Sequence, residues 1–164
     1  MRTMTRSKPA ARLTAEGLAR CCQESGWNCH QRSTGRITVA LETEPPRHAE
    51  LVAHDHGIHA SVVLANCGRC GPASRRAATD LLEAAAAETG QVSAAVHSEA
   101  GSFWLRAQAE CAPTPEALDA ALTRLAVVSA QVTRELAVLE DETIARDYLA
   151  IRDRFADDGK QHPD

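Results

Sequence analysis

The chain has 164 residues, 44% of them hydrophobic and 24% charged, and its 18 basic and 22 acidic residues leave a net charge of −4. That length suits one domain with a single core, and the composition excludes a wholly disordered chain, a collagen-like fibre and a membrane bundle. The acidic balance leaves no global basic field for nucleic acid, and no stretch approaches the roughly 18 apolar residues of a membrane span.

Residues 1–11 hold a Pro, three of the chain's basic side chains and no acid, and they show no periodicity, so they read as a basic flexible arm. From Leu13 to Gly26 the pattern turns helical: Thr14 is a plausible N-cap, and Leu18, Cys21 and Cys22 fall at i, i+3 and i+4. Trp27 to Ser33 reads as a short strand, with Thr34-Gly35 as a turn. In Arg36 to Glu42, Ile37, Val39 and Leu41 alternate with Thr38 and Ala40, as in a half-buried strand. His48 to His54 is a weaker strand, and in Ile58 to Asn66 the residues Ile58, Ala60, Val62 and Leu64 share a face.

An Ala-rich helix follows from Pro72 to Glu88, with Pro near its first position. Gln91 to Glu99 and Phe103 to Cys111 then read as a hairpin around a three-residue loop, Ala100-Gly101-Ser102. In that hairpin Trp104 and His97 project to the face opposite Leu105. The last element starts at Thr114-Pro115-Glu116 and carries Leu118, Leu125, Val132 and Leu139 every seven residues. Its apolar stripe resumes as Ile144, Tyr148, Ile151 and Phe155. One helix over 114–155 would be about 63 Å long at 1.5 Å per residue. It must either break near Glu140 or overhang and bury Tyr148 and Phe155 on another chain, so those four residues are candidates for self-association.

The sequence carries few groupings that could do chemistry. Cys67-Gly-Arg-Cys70 sits between a strand and a helix, where a CxxC can serve redox or zinc chemistry. The preceding strand belongs to an antiparallel meander, however, and no second CxxC or HxxxH joins Cys21, Cys22, Cys29 or His30 to complete a zinc set. Cys67 and Cys70 therefore stay the weak candidates for a metal or redox site, and no cofactor is expected. His48, His54, His56 and His59 cluster without HExxH or two-histidine-carboxylate spacing. GxSxG, P-loop and GxGxxG patterns are missing, so no catalytic residue is assigned and an enzyme is not expected. Six cysteines without an apolar leader point to reduced thiols in the cytoplasm. A bias of 16 Arg to 2 Lys, with abundant Ala, suggests a GC-rich bacterial genome.

The fold class expected is α+β, an antiparallel sheet with flanking helices in the order α-β-β-β(-β)-α-β-β-α. That order, the helix ASRRAATDLLEAAAAETG and the hairpin QVSAAVHSEAGSFWLRAQAEC leading to TPEALDAALTRL resemble the class I type III secretion chaperones and the related YbjN-type domains of bacteria. The resemblance covers residues 12–140, with 141–164 as an acidic C-terminal helical extension and tail. It implies a non-enzymatic homodimer that holds an unfolded or extended segment of another protein on apolar surface and sheet edges. Trp104, Val63 and Val52 are then the candidate partner-binding residues on the outer face of the sheet. Two other readings are a YbjN-type regulatory or stress protein without a secretion client, and a thiol or zinc protein using Cys67 and Cys70.

Overall fold

The computed structural model describes residues 13–33 and 35–158. The basic arm at 1–11 and the last residues of the acidic tail lie outside them. The elements are α1 (Ala15–Ser25), β1 (Cys29–Ser33), β2 (Arg36–Leu41), β3 (Arg47–His54), β4 (Gly57–Asn66), α2 (Pro72–Thr89), β5 (Ser93–Glu99), β6 (Ser102–Cys111), α3 (Pro115–Val138) and α4 (Glu142–Asp158). The fold is α+β. One six-stranded antiparallel sheet runs in the order β1-β2-β3-β4-β6-β5. Among the described residues no helix is long and apolar enough to cross a membrane.

Local chemistry sets most of the boundaries. The Thr14 hydroxyl accepts a hydrogen bond from the Gly17 N–H at 3.1 Å, and Gly26 closes α1 in the left-handed region at φ 81°. Thr114 caps α3 in the same way, accepting from Ala117 N–H at 3.2 Å. Along α3 the buried residues Leu118, Leu122, Leu125, Val132 and Leu136 form the stripe that the seven-residue repeat predicted. Ser129, fully buried in that stripe, donates its hydroxyl to Leu125 O at 2.6 Å, which is how a polar group is tolerated there.

One face of the sheet supplies the core. Ile37, Val39, Leu41, Ala49, Leu51, Ile58, Ala60, Val62, Leu64, Leu105 and Ala107 are buried there with Leu18 of α1, Leu82 of α2 and Leu122 of α3. Each large side chain so buried contributes on the order of 1.5–3 kcal/mol.

The hairpin turn is tighter than its sequence suggests. Glu99 pairs with Ser102, so the loop is the two residues Ala100 and Gly101, at φ 24° and 87°. Positive φ at both central positions is what the right-handed strand twist demands of a two-residue hairpin.

The long C-terminal stripe is not one helix. α3 stops at Val138, and Asp141 starts α4 by accepting hydrogen bonds from Thr143 N–H at 2.8 Å and Ile144 N–H at 3.2 Å. α4 folds back on α2, where Ala145 and Leu149 bury against Ala77 and Leu139. α2 begins at Gly71-Pro72 with no capping side chain of its own, and Glu142 supplies one from α4. Its carboxylate accepts from Ala73 N–H at 3.1 Å and Ser74 N–H at 3.0 Å. The Ser74 N–H, opposed by desolvation and joined by Ala73, holds the Glu142 carboxyl below its ordinary pKa. A Cβ at Gly71 would overlap that carboxylate, so only glycine leaves room for the cap.

Candidate binding face

Among the described residues helices cover one side of the sheet only. Alternation along each strand sends Arg36, Thr38 and Ala40 of β2, His48, Glu50 and Val52 of β3, His59, Ser61 and Val63 of β4, and Trp104, Arg106, Gln108 and Glu110 of β6 to the other side. None of these belongs to the core cluster, and most are half-buried or exposed.

The strand register orders this face in rows. Ala95, Arg106 and Val63 stand opposite one another across β5, β6 and β4. Ser93, Gln108, Ser61, Glu50, Thr38 and His30 form a second row that crosses all six strands. Glu110, His59, Val52 and Arg36 form a third. Of the three apolar candidates, Val63 is 36% exposed, and Trp104 and Val52 are half-buried. Trp104 lies two residues from Arg106, the partner of Val63, whereas the Ser61–Glu50 row separates Val63 from Val52. The three residues therefore share a face but stand interleaved with polar groups. At the sheet's two edges, β1 and β5, backbone groups have no strand partner on one side among the described residues, and Val96 on β5 is 46% exposed.

Two clusters on or near this face were not evident from residue spacing. Glu110 bridges two histidines, with Oε2 at 2.6 Å from His54 Nε2 and Oε1 at 2.5 Å from His59 Nδ1. Burial works to raise the Glu110 pKa, but the hydrogen bonds and charges of His59 and His54 outweigh it and the net shift is downward. An open trough of about 450 Å³ is lined by Arg32, Arg36, His48, Glu50, Ser61 and Arg106, among others. Strand alternation puts Arg36 and Arg106 on this side of the sheet. Only the pairing of β4 with both β3 and β6 brings them to one surface.

The cysteines are all free. Cys67 is buried between β4 and α2, and its N–H donates to Phe103 O at 2.7 Å. Burial, with the neighbouring Cys70 adding to it, pushes the Cys67 thiol up to about 12, so it is a protonated, unreactive thiol at neutral pH. Burial likewise raises Cys21, Cys22 and Cys29. Among the described residues no group of three or more His, Cys, Asp or Glu has the arrangement to hold a metal ion. Alkylation with iodoacetamide followed by peptide mass mapping should leave Cys67 unmodified in the folded protein and label it in denaturant. Rapid labelling of native Cys67 would contradict its burial. A groove of about 660 Å³ between β6 and α3 is lined by Cys111 among others, and burial pushes that thiol up to about 11.

On α4 the four-residue stripe divides. Tyr148 turns toward α2 and donates its hydroxyl to Asp80 at 3.0 Å, while Ile144, Ile151 and Phe155 remain exposed. Phe155 is 72% exposed, the most of any large apolar side chain described. Beside it, Val138, Leu139, Ile144, Tyr148 and Ile151 line an apolar groove of about 490 Å³ between α3 and α4.

Comparison of the chain with protein-family models, with curated proteins and with solved structures finds no match.

Proposed function

We propose that this protein is a non-enzymatic, cytoplasmic polypeptide-binding protein of the kind its resemblance to type III secretion chaperones implies, acting as a homodimer. The observation that carries the reading is the six-stranded sheet with one face under helices and the other open, displaying Trp104, Val63 and Val52 between two unpaired edges. An extended segment can lie across this face and set alternate side chains against it, and its end can add to an edge strand through the backbone. The raised thiol pKa values of Cys67 and Cys111 count against chemistry at those two cysteines.

The dimer uses α4. Phe155 is a knob and the α3–α4 groove a socket on the same helical face, and antiparallel two-fold pairing seats each knob in the other copy's socket. The charges also suit that pairing, because Asp147 flanks the first half of the seam and Arg154 the second. By light scattering, Phe155→Asp should convert a dimer to a monomer while leaving the helical content intact. A wild-type monomer at the same concentration would remove this part of the proposal.

For the binding function, Val63→Asp and Trp104→Ala should each weaken capture of a fluorescein-labelled Val/Thr peptide at least about tenfold, the loss expected from removing one apolar contact. Circular dichroism should show the fold unchanged. Undiminished binding in both folded variants would place the site elsewhere.

A further inference from the structure

The open face is not uniformly neutral, and its charge runs against that of the chain. Within the trough Arg32, Arg36 and Arg106 are joined by His48, and Glu50 is the only acid lining it. Arg36 reaches Glu50 at 3.7 Å, with both side chains substantially exposed. Arg32 and Arg106 have no ion pair or side-chain hydrogen bond among the described residues. The Nε of Arg106 is a buried donor with no hydrogen-bond partner among the described residues. Hydroxyls of Ser33, Thr38 and Ser61 line the same trough.

The spacing of the cations limits what can satisfy them. Arg106 lies on β6, Arg36 on β2 and Arg32 on β1, so the sheet order separates Arg106 from the other two by β4 and β3. At about 4.8 Å per strand, three or four strand spacings come to roughly 14–19 Å across the sheet. Arg36 is level with Glu110, four residues along β6 from Arg106, which adds about 13 Å along the strands and sets the backbones roughly 20–23 Å apart. Backbones that far apart suit two separate anionic groups better than a single carboxylate or phosphate, which would have to draw extended side chains together. An extended chain rising about 3.3 Å per residue covers the distance in roughly six or seven residues.

We propose that this trough selects extended polypeptide segments carrying two acidic side chains about six or seven residues apart, one carboxylate pairing with Arg106 and the other with Arg36 and Arg32. The proposal rests on the reading of the open face as a polypeptide-binding surface and names the class of segment it takes. Arginine suits the role because its planar fork binds a carboxylate through two parallel hydrogen bonds.

The test is fluorescence anisotropy of the full-length protein with three labelled Val/Thr peptides of about ten residues, carrying two Glu, two Gln or two Lys about six positions apart. The Glu peptide should bind about tenfold or more tighter than the Gln peptide and tighter still than the Lys peptide, with the preference shrinking at high salt. Arg106→Gln should abolish the preference for Glu over Gln. Arg32→Gln, on the edge strand, should reduce it and serves if Arg106→Gln fails to fold. Equal binding of Glu and Gln peptides, unaffected by folded Arg106→Gln, would overturn the inference and leave the polypeptide-binding reading standing. No binding of any peptide would overturn both. Displacement of the Glu peptide by millimolar inorganic phosphate as effectively as by unlabelled Glu peptide would also overturn it, as that identifies a site for a single anion.

Discussion

Leu122→Ala should lower the free energy of unfolding by about 2–5 kcal/mol, the range for emptying a buried leucine site. Leu122 is fully buried on α3, which packs at once against α1, α2, β4 and β6, so no single neighbour can move to fill the void. Val127, on the same helix but 43% exposed, provides the control. Val127→Ala should change stability by no more than about 0.5 kcal/mol. Urea unfolding monitored by circular dichroism checks both. Equal effects of the two substitutions would mean that α3 is rotated from the orientation described.

The chain's only tyrosine reports on the docking of α4. Burial first, and then the hydrogen bond to Asp80, push the Tyr148 hydroxyl up to about 12, against about 10 for tyrosine in water. The folded state therefore favours the neutral phenol. Its stabilising contribution is fully present below about pH 10 and is lost as pH rises toward 12. Tyrosinate absorbance should rise near pH 12 in the native protein, and unfolded protein should titrate near the ordinary value of about 10. Asp80→Asn should bring the native titration part of the way down, because burial remains. A native tyrosine that ionises like the unfolded one would show α4 undocked, and with it the α3–α4 groove lost.

Periodicity and capping made most of the elements legible. Thr14 and Gly26, Thr114-Pro115 and the alternation of Ile37, Val39 and Leu41 are local signals, and they work because each satisfies or buries a group within a few residues. The fold-back of α4 is not a local signal, because the residues that fix it are 68 and 69 apart in the chain. The sequence did hold one clue: Gly71-Pro72 opens a helix with no cap of its own, and such an end needs a partner from elsewhere. Glu142 is that partner, and it makes a break near residue 140 structurally useful. The hairpin loop is one residue shorter than its sequence predicts, because alanine rarely takes the positive φ that Ala100 adopts.

Site legibility followed the same division. Strand parity placed Trp104 on the side opposite Leu105, which the structure reproduces, since parity is a property of one strand. Which outward residues become neighbours depends on strand order. The pairing of β4 with β6 sets Val63 opposite Arg106 and His59 opposite Glu110. Neither the arginine trough nor the His54–Glu110–His59 cluster could be read from spacing alone.

The most direct test of the open face is the emission of Trp104 in a Trp27→Phe variant, which removes the other tryptophan, a residue bonded to Asp119 at 2.8 Å on the helical side. Addition of an unlabelled Val/Thr peptide at saturating concentration should shift that emission to the blue and protect it from acrylamide quenching, as the half-buried indole loses its remaining water. Unchanged emission and quenching, with the peptide shown to be bound by anisotropy, would contradict the assignment of this sheet face as the binding surface.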